Sequence, residues 1–177
     1  MRKEAFIHLS FLISFFIFIS LFKCWMDVSY WPFWLGGITG NFLPDLDHFI
    51  YVYFLKPYEL TSQRVSYMLG KRDVLRTFRL LAETRSERTK LIFHSGLFQL
   101  ILLVLTFLVL TSSGSLFGRG LVLAFFLHLL VDQMVDLAEI GNLDNWFGGF
   151  PVAFNENQAR GYCFIMIFVF LLLGFLL

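Results

Sequence analysis

The chain has 177 residues, of which 58% are hydrophobic, 19% aromatic and only 15% charged, and its mean hydropathy is +0.72. This composition excludes a disordered chain and a secreted disulfide scaffold, and the net charge of +1 excludes a basic nucleic-acid-binding domain. The sequence therefore predicts an all-α, polytopic helical membrane protein, with residues 1–177 forming a single integral membrane domain.

Crossing a hydrocarbon core of roughly 30 Å takes about 20 helical residues. Five stretches are long and apolar enough, so we expect about five transmembrane helices, over residues 5–22, 30–55, 91–110, 120–140 and 161–177. The first is predicted to be an uncleaved span rather than a signal peptide, because no small-x-small cleavage site follows it. The second is predicted to be kinked, because it contains Pro32 and Pro44 and three glycines between them.

A loop between the second and third spans, residues 56–90, holds nine of the fourteen basic residues and four acidic ones. The positive-inside rule places this loop and the N-terminus in the cytoplasm. We expect the protein to lie in the cell (inner) membrane. Arg72, Arg76 and Arg79 alternate with apolar residues at helical spacing, which indicates a cytoplasmic amphipathic helix on the inner leaflet. The first interpretation of these basic residues is a solvated loop that obeys the positive-inside rule. The second is that they bind lipid headgroups.

All four histidines and three of the aspartates lie inside predicted spans, where each is costly unless it is paired, bound to an ion or facing a wet cavity. They are His8, Asp45, Asp47, His48, His94, His128 and Asp132. With the predicted topology and a rise of about 1.5 Å per residue, the histidines and Asp132 lie roughly 5 to 18 Å from the cytoplasmic boundary. We therefore expect them to form one cluster in the inner leaflet.

The local spacing of these residues favours metal binding. His128 and Asp132 are four residues apart and share one helical face, and Pro44 breaks the helix so that Asp45 and Asp47 can point toward one centre. Imidazoles with carboxylates suit a divalent transition metal, zinc first and manganese or iron next, better than magnesium or calcium. Seven side chains exceed one tetrahedral shell. Either two ions bind, or one binds and the remaining groups orient ligands or accept protons.

The order of these motifs resembles the YdjM-type family of inner-membrane metal-dependent hydrolases, which is distantly similar to zinc-dependent phospholipase C. The resemblance rests on His8, on the run Leu43-Pro44-Asp45-Leu46-Asp47-His48, on the pair His94-Ser95, and on the run His128-Leu129-Leu130-Val131-Asp132. It implies metal-dependent hydrolysis at the membrane, and it implies the same seven side chains as metal ligands.

The first functional hypothesis is therefore hydrolysis of a phosphoester, in a membrane lipid or another amphiphile, by metal-activated water at the inner leaflet. Asp47 or Asp132 would accept the proton of that water. A metal-ion or proton carrier is the second hypothesis, although the outer halves of spans one and three contain few polar residues. A noncatalytic membrane scaffold is the third. No nucleic acid partner is expected, and the sequence leaves the oligomeric state open.

Overall fold

The computed structural model of the chain describes residues 2–84, 87–88, 90–148 and 154–177. All regular elements in these residues are helical, which confirms the all-α prediction. In chain order they are α1 (Arg2–Phe22), a 3₁₀ turn (Val28–Tyr30), α2 (Trp31–Phe42), α3 (Leu46–Ile50) with a π-helical turn after it (Tyr51–Leu55), α4 (Leu60–Gly70), α5 (Val74–Glu83), α6 (Gly96–Ser112), α7 (Leu116–Glu139), α8 (Asp144–Phe147) and α9 (Glu156–Phe175).

Three of these helices, α1, α7 and α9, are long and apolar enough to cross a membrane. This is consistent with membrane association, but it is fewer than the five spans predicted. The third predicted stretch forms α6, which is apolar but has only 17 residues, or about 25 Å of helix. It begins at Gly96 rather than at Leu91, because the backbone N–H groups of residues 92–94 are bound to a buried carboxylate described below.

The predicted second span consists of α2 and α3, separated by a turn at residues 43–45, where the sequence predicts a kinked or partly unwound helix. α2 ends at Phe42, after 12 residues, and a turn that contains Pro44 separates it from α3. Pro44 has no backbone N–H to donate, which interrupts the hydrogen bonds of the regular helix. Helical structure then resumes at Leu46 and widens into the π-helical turn.

Helix α7 forms the centre of the bundle and contacts α1, α2, α6 and α9. Residues 122–133 of α7 are all buried, as expected for a helix that is apolar on every side. Phe33 lies beside Gly120, and Asp45 lies beside His128, so α2 and α7 run in the same direction. Lys23, just after α1, donates to backbone oxygens at the end of α9, so α1 and α9 also run in the same direction.

Glycines allow α2 and α7 to approach until their backbones touch. A Cβ added to Gly36 or Gly40 would overlap backbone oxygens of α7, and one added to Gly120 would overlap the backbone oxygen of Phe33. Small residues spaced in this way are typical of closely packed helices in membranes. This contact sets the position of the end of α2, and therefore of the turn that leads to Asp45, Asp47 and His48.

The basic loop folds in large part into a helical hairpin made of α4 and α5. Val65 of α4 and Leu81 of α5 are buried together against Val52 of the π-helical turn. α5 is the amphipathic helix that the sequence predicts, since Thr77 and Leu81 are buried while Arg76 and Arg79 are exposed. Residues 85, 86 and 89 of the loop lie outside the described residues.

Candidate metal centre

The seven predicted site residues meet at one end of the bundle, although they come from four separate parts of the chain. α1 supplies His8, the turn after α2 and the start of α3 supply Asp45, Asp47 and His48, the segment before α6 supplies His94, and α7 supplies His128 and Asp132. Each of the seven contacts at least one other member of the set.

Three buried residues form the centre of this cluster: His8, His128 and Asp132. Each offers a ligand atom, and these atoms lie within 4.8 Å of one another. Nε2 of His8 is 3.2 Å from Oδ1 of Asp132, and Nε2 of His128 is 3.3 Å from Oδ2. The two imidazole rings lie side by side, with their centroids 4.1 Å apart. The group could hold a metal ion, as the sequence predicts.

The hydrogen bonds of His8 show which of its nitrogens is available. Nδ1 donates to the backbone oxygen of Glu4, 2.9 Å away. A neutral imidazole has a single N–H, so Nε2 then presents a lone pair to the carboxylate of Asp132. Two lone pairs at 3.2 Å repel, so this contact needs an added positive charge, either a proton on Nε2 or a metal ion between the two atoms. Histidines that bind a metal through one ring nitrogen commonly donate the N–H of the other to a backbone carbonyl, which orients the ring.

His94 approaches the same carboxylate from another direction. Its Nε2 is 2.9 Å from Oδ2 of Asp132, and its Nδ1 is 3.3 Å from Oδ2 of Asp47. Both ring nitrogens therefore face carboxylate oxygens, whereas a neutral imidazole donates from only one. One of these two contacts needs an added positive charge, either a proton on the ring or a metal ion beside it.

Asp47 has a different environment from Asp132. Its side chain is fully buried and accepts three backbone N–H bonds, from Ile92 at 3.1 Å, Phe93 at 2.6 Å and His94 at 3.2 Å. A carboxylate with this many donors is well compensated for burial. Its contacts therefore support a positioning role, in which it holds the segment before α6 and orients the ring of His94.

Asp47→Asn is expected to lower both stability and metal affinity. An amide turns its own N–H groups toward at least one of the three backbone donors, and each buried donor left unsatisfied costs about 1–3 kcal/mol. Loss of an orienting carboxylate typically weakens metal binding by about 10–100-fold. Thermal unfolding and a zinc titration in detergent measure the two effects. Asp45→Asn is the matched control for stability, because the Asp45 side chain is 51% exposed; equal stability losses in the two variants would contradict this role.

His48 and Asp45 lie at the periphery of the cluster. Nδ1 of His48 accepts a hydrogen bond from Nε of Arg88 at 3.2 Å, and the His48 ring stacks on that of His94 with centroids 5.3 Å apart. Oδ1 of Asp45 is 3.7 Å from Nε2 of His128, beyond hydrogen-bond distance. Asp45 is thus a partly exposed carboxylate at the rim of an otherwise buried site.

The structure places two further side chains beside the cluster that the sequence does not predict as metal ligands. Arg88 is buried, and it also donates to Thr84 and to the backbone oxygen of Leu81. Trp146 is buried with its ring 5.8 Å from that of His94, and its Nε1 donates to Oδ2 of Asp136 at 2.7 Å. Asp136 lies one helical turn after Asp132 on the same face of α7, and this spacing is a signal in the sequence that could have indicated its place beside the cluster.

A buried amide network lies next to the cluster along α7. Gln99 and Gln133 donate to each other, at 3.2 Å and 2.7 Å, and the hydroxyl of Tyr162 donates to Gln99 Oε1 at 2.8 Å. These three residues belong to α6, α7 and α9, so the network joins three helices beside Asp132. Polar contacts of this kind fix the relative positions of helices where lipid supplies no hydrophobic driving force.

The donor set suits a transition metal. Two imidazole nitrogens and a carboxylate oxygen are ligands typical of zinc, and the site is buried, which disfavours the hydrated ions magnesium and calcium. Buried carboxylates are costly without compensation, and a cation at this point would compensate Asp132. Comparisons of the chain with known protein families, with curated proteins and with solved structures found no match, so the resemblance to the YdjM-type family stays a prediction.

Proposed function

We propose that the protein is a membrane-embedded, metal-dependent hydrolase that cleaves a phosphoester of a lipid or another amphiphile. One observation carries the proposal: Nε2 of His8 lies 3.2 Å from the carboxylate of Asp132 in a buried group that also contains His128 and could hold a metal ion. In this proposal two further segments join α1, α7 and α9 in crossing the cell membrane: α6, and the segment that comprises α2, α3 and the π-helical turn. The N-terminus and the basic loop are cytoplasmic, and the site opens to the inner leaflet.

Each side chain of the cluster has a distinct role in this function. His8, His128 and Asp132 would hold a zinc ion, and His94 would approach the same carboxylate, oriented by Asp47. When bound, the ion would supply Lewis-acid activation of water and of a phosphoryl oxygen. Asp45, at the rim and partly exposed, is the carboxylate best placed to accept a proton from water. The carboxylate oxygens of Asp47 are already bound by three backbone N–H groups.

Metal analysis of the purified protein tests whether it binds a metal ion, on which the proposal depends. We expect about one zinc ion per chain in the wild type, as in three-ligand hydrolytic sites, and little or none in His128→Ala. The matched control is His48→Ala, which removes a peripheral imidazole whose Nδ1 is bound to Arg88 and should keep most of the metal. A wild type without stoichiometric metal, or His128→Ala with undiminished metal, would contradict the proposal.

The carrier hypothesis needs ionisable groups along the whole path through the membrane. Among the described residues, the buried polar side chains of α1 and α6 toward the far end are Ser20 and Thr106. Hydroxyls do not titrate at neutral pH, and Thr106 donates to the backbone oxygen of Leu102. This arrangement favours a one-sided site. Metal or proton flux in proteoliposomes, with no hydrolysis of any lipid or phosphoester supplied, would favour the carrier instead.

A further inference from the structure

We propose that the basic hairpin, residues 60–83, binds the anionic surface of the lipid bilayer next to the metal centre. The hairpin consists of α4 and α5. This interaction is independent of metal binding and of hydrolysis. It rests on three properties of the hairpin: an outer apolar face that the described residues do not cover, arginines beside that face, and a position at the metal-binding end of the bundle.

The inner face of the hairpin packs against the rest of the protein. Thr77 and Leu81 of α5 and Val65 of α4 are buried. Phe49 of α3 packs edge-on against Phe78, with centroids 5.9 Å apart. The hairpin is therefore held against α3 and the π-helical turn, and the orientation of α5 about its own axis is set by these contacts.

The outer face of α5 exposes large apolar side chains. Leu75 is 77% exposed, and Val74 and Phe78 are 47% and 43% exposed. In a helix these three positions lie within one sector of about 100°, next to the buried stripe. Adjacent exposed apolar side chains of this size mark a surface that meets a partner or a membrane.

Charge identifies an anionic lipid surface as the partner. Residues 56–84 contain six basic and three acidic side chains. Two of the acidic ones are already paired, Glu59 with Lys56 at 3.4 Å and Asp73 with Arg76 at 3.3 Å. Arg72 and Arg79 are exposed, and α5 carries arginines on the side opposite its buried residues. Apolar side chains flanked by arginines are the pattern of helices that lie in the interface of anionic membranes.

The position of the hairpin places this surface at the membrane rather than in open solvent. α4 follows the π-helical turn that continues α3, which carries Asp47 and His48. Arg88, just beyond α5, donates to His48. The hairpin therefore emerges at the end of the bundle where the metal cluster lies, and the bilayer that surrounds α1, α7 and α9 borders it.

Site-specific fluorescence quenching tests the proposal. Cys24 is replaced by Ser, which leaves only the buried Cys163. Leu75→Cys is then labelled with bimane, and the protein is placed in nanodiscs that contain nitroxide-labelled acyl chains. We expect strong quenching in phosphatidylglycerol discs and weak quenching in phosphatidylcholine discs. The matched control is a label at Glu83→Cys, on the exposed polar side of α5, which should be quenched little in either lipid.

Arg72→Gln combined with Arg79→Gln tests the role of charge and leaves the Arg76–Asp73 pair intact. Each arginine contributes roughly fivefold to binding at an anionic surface, so the pair should lower the ratio of docked to undocked hairpin more than about tenfold. Circular dichroism checks that the variant is folded. Equal quenching at positions 75 and 83, or quenching at 75 that a folded double variant retains, would overturn the proposal.

Discussion

Asp132→Asn is expected to abolish high-affinity metal binding, with an affinity at least about 100-fold lower than that of the wild type. The carboxylate of Asp132 faces Nε2 of His8, His94 and His128 at the same time. Loss of a group that only orients a ligand costs about 10–100-fold, and loss of a direct ligand should exceed this. Zinc titration and inductively coupled plasma mass spectrometry measure the change.

Thermal unfolding supplies a second readout of the same variant. Zinc at 100 times its dissociation constant stabilises a folded protein by about 2.7 kcal/mol, so added zinc should raise the unfolding temperature of the wild type and leave that of Asp132→Asn unchanged. Asp136→Asn is the matched control. It is the same substitution one turn later on α7, and its side-chain oxygen can still accept from Trp146. If the two variants bind zinc equally well, Asp132 is not a ligand.

Gly40→Ala is expected to destabilise the protein by about 1–3 kcal/mol, the usual cost of overpacking, and to weaken metal binding as well. The added Cβ would overlap the backbone oxygen of Leu121, and a backbone atom cannot rotate away as a side chain can. The ends of α2 and α7 must therefore separate. Asp47 lies just beyond the end of α2, so its contacts with the segment before α6 should loosen. Thermal unfolding in detergent and zinc titration measure the two effects.

Gly161→Ala is the control for this substitution. A Cβ at Gly161, in the first half of α9, meets nothing within 4 Å. Alanine is also the better helix former by about 0.5–1 kcal/mol, so this variant should be at least as stable as the wild type. A Gly40→Ala protein with unchanged stability and unchanged zinc affinity would show that the close contact between α2 and α7 is not required for the site.

The extent to which the sequence predicted the fold differs between elements. α1, α7 and α9 were predicted within a few residues, because a long apolar stretch has few alternatives to a helix where water is scarce. The second predicted span has a turn inside it, at the proline that the pattern did indicate. α6 begins late because Asp47 binds the backbone of residues 92–94. That contact joins residues 45 or more positions apart, and no local pattern contains it.

In the candidate site, too, some features follow from the sequence and others only from contacts between distant residues. Burial in an apolar stretch is costly for an ionisable group, so the sequence by itself determined that four histidines and three aspartates had to find partners, and helical rise placed most of them at one depth. Only the tertiary structure decided their separate roles. Helices that cross one another bring His8, His128 and Asp132 to one point, surround Asp47 with backbone donors, and leave Asp45 at the rim. The composition of an apolar stretch determines how costly it is to bury an ionisable side chain there. The direction in which each side chain points depends on contacts between residues far apart in the chain.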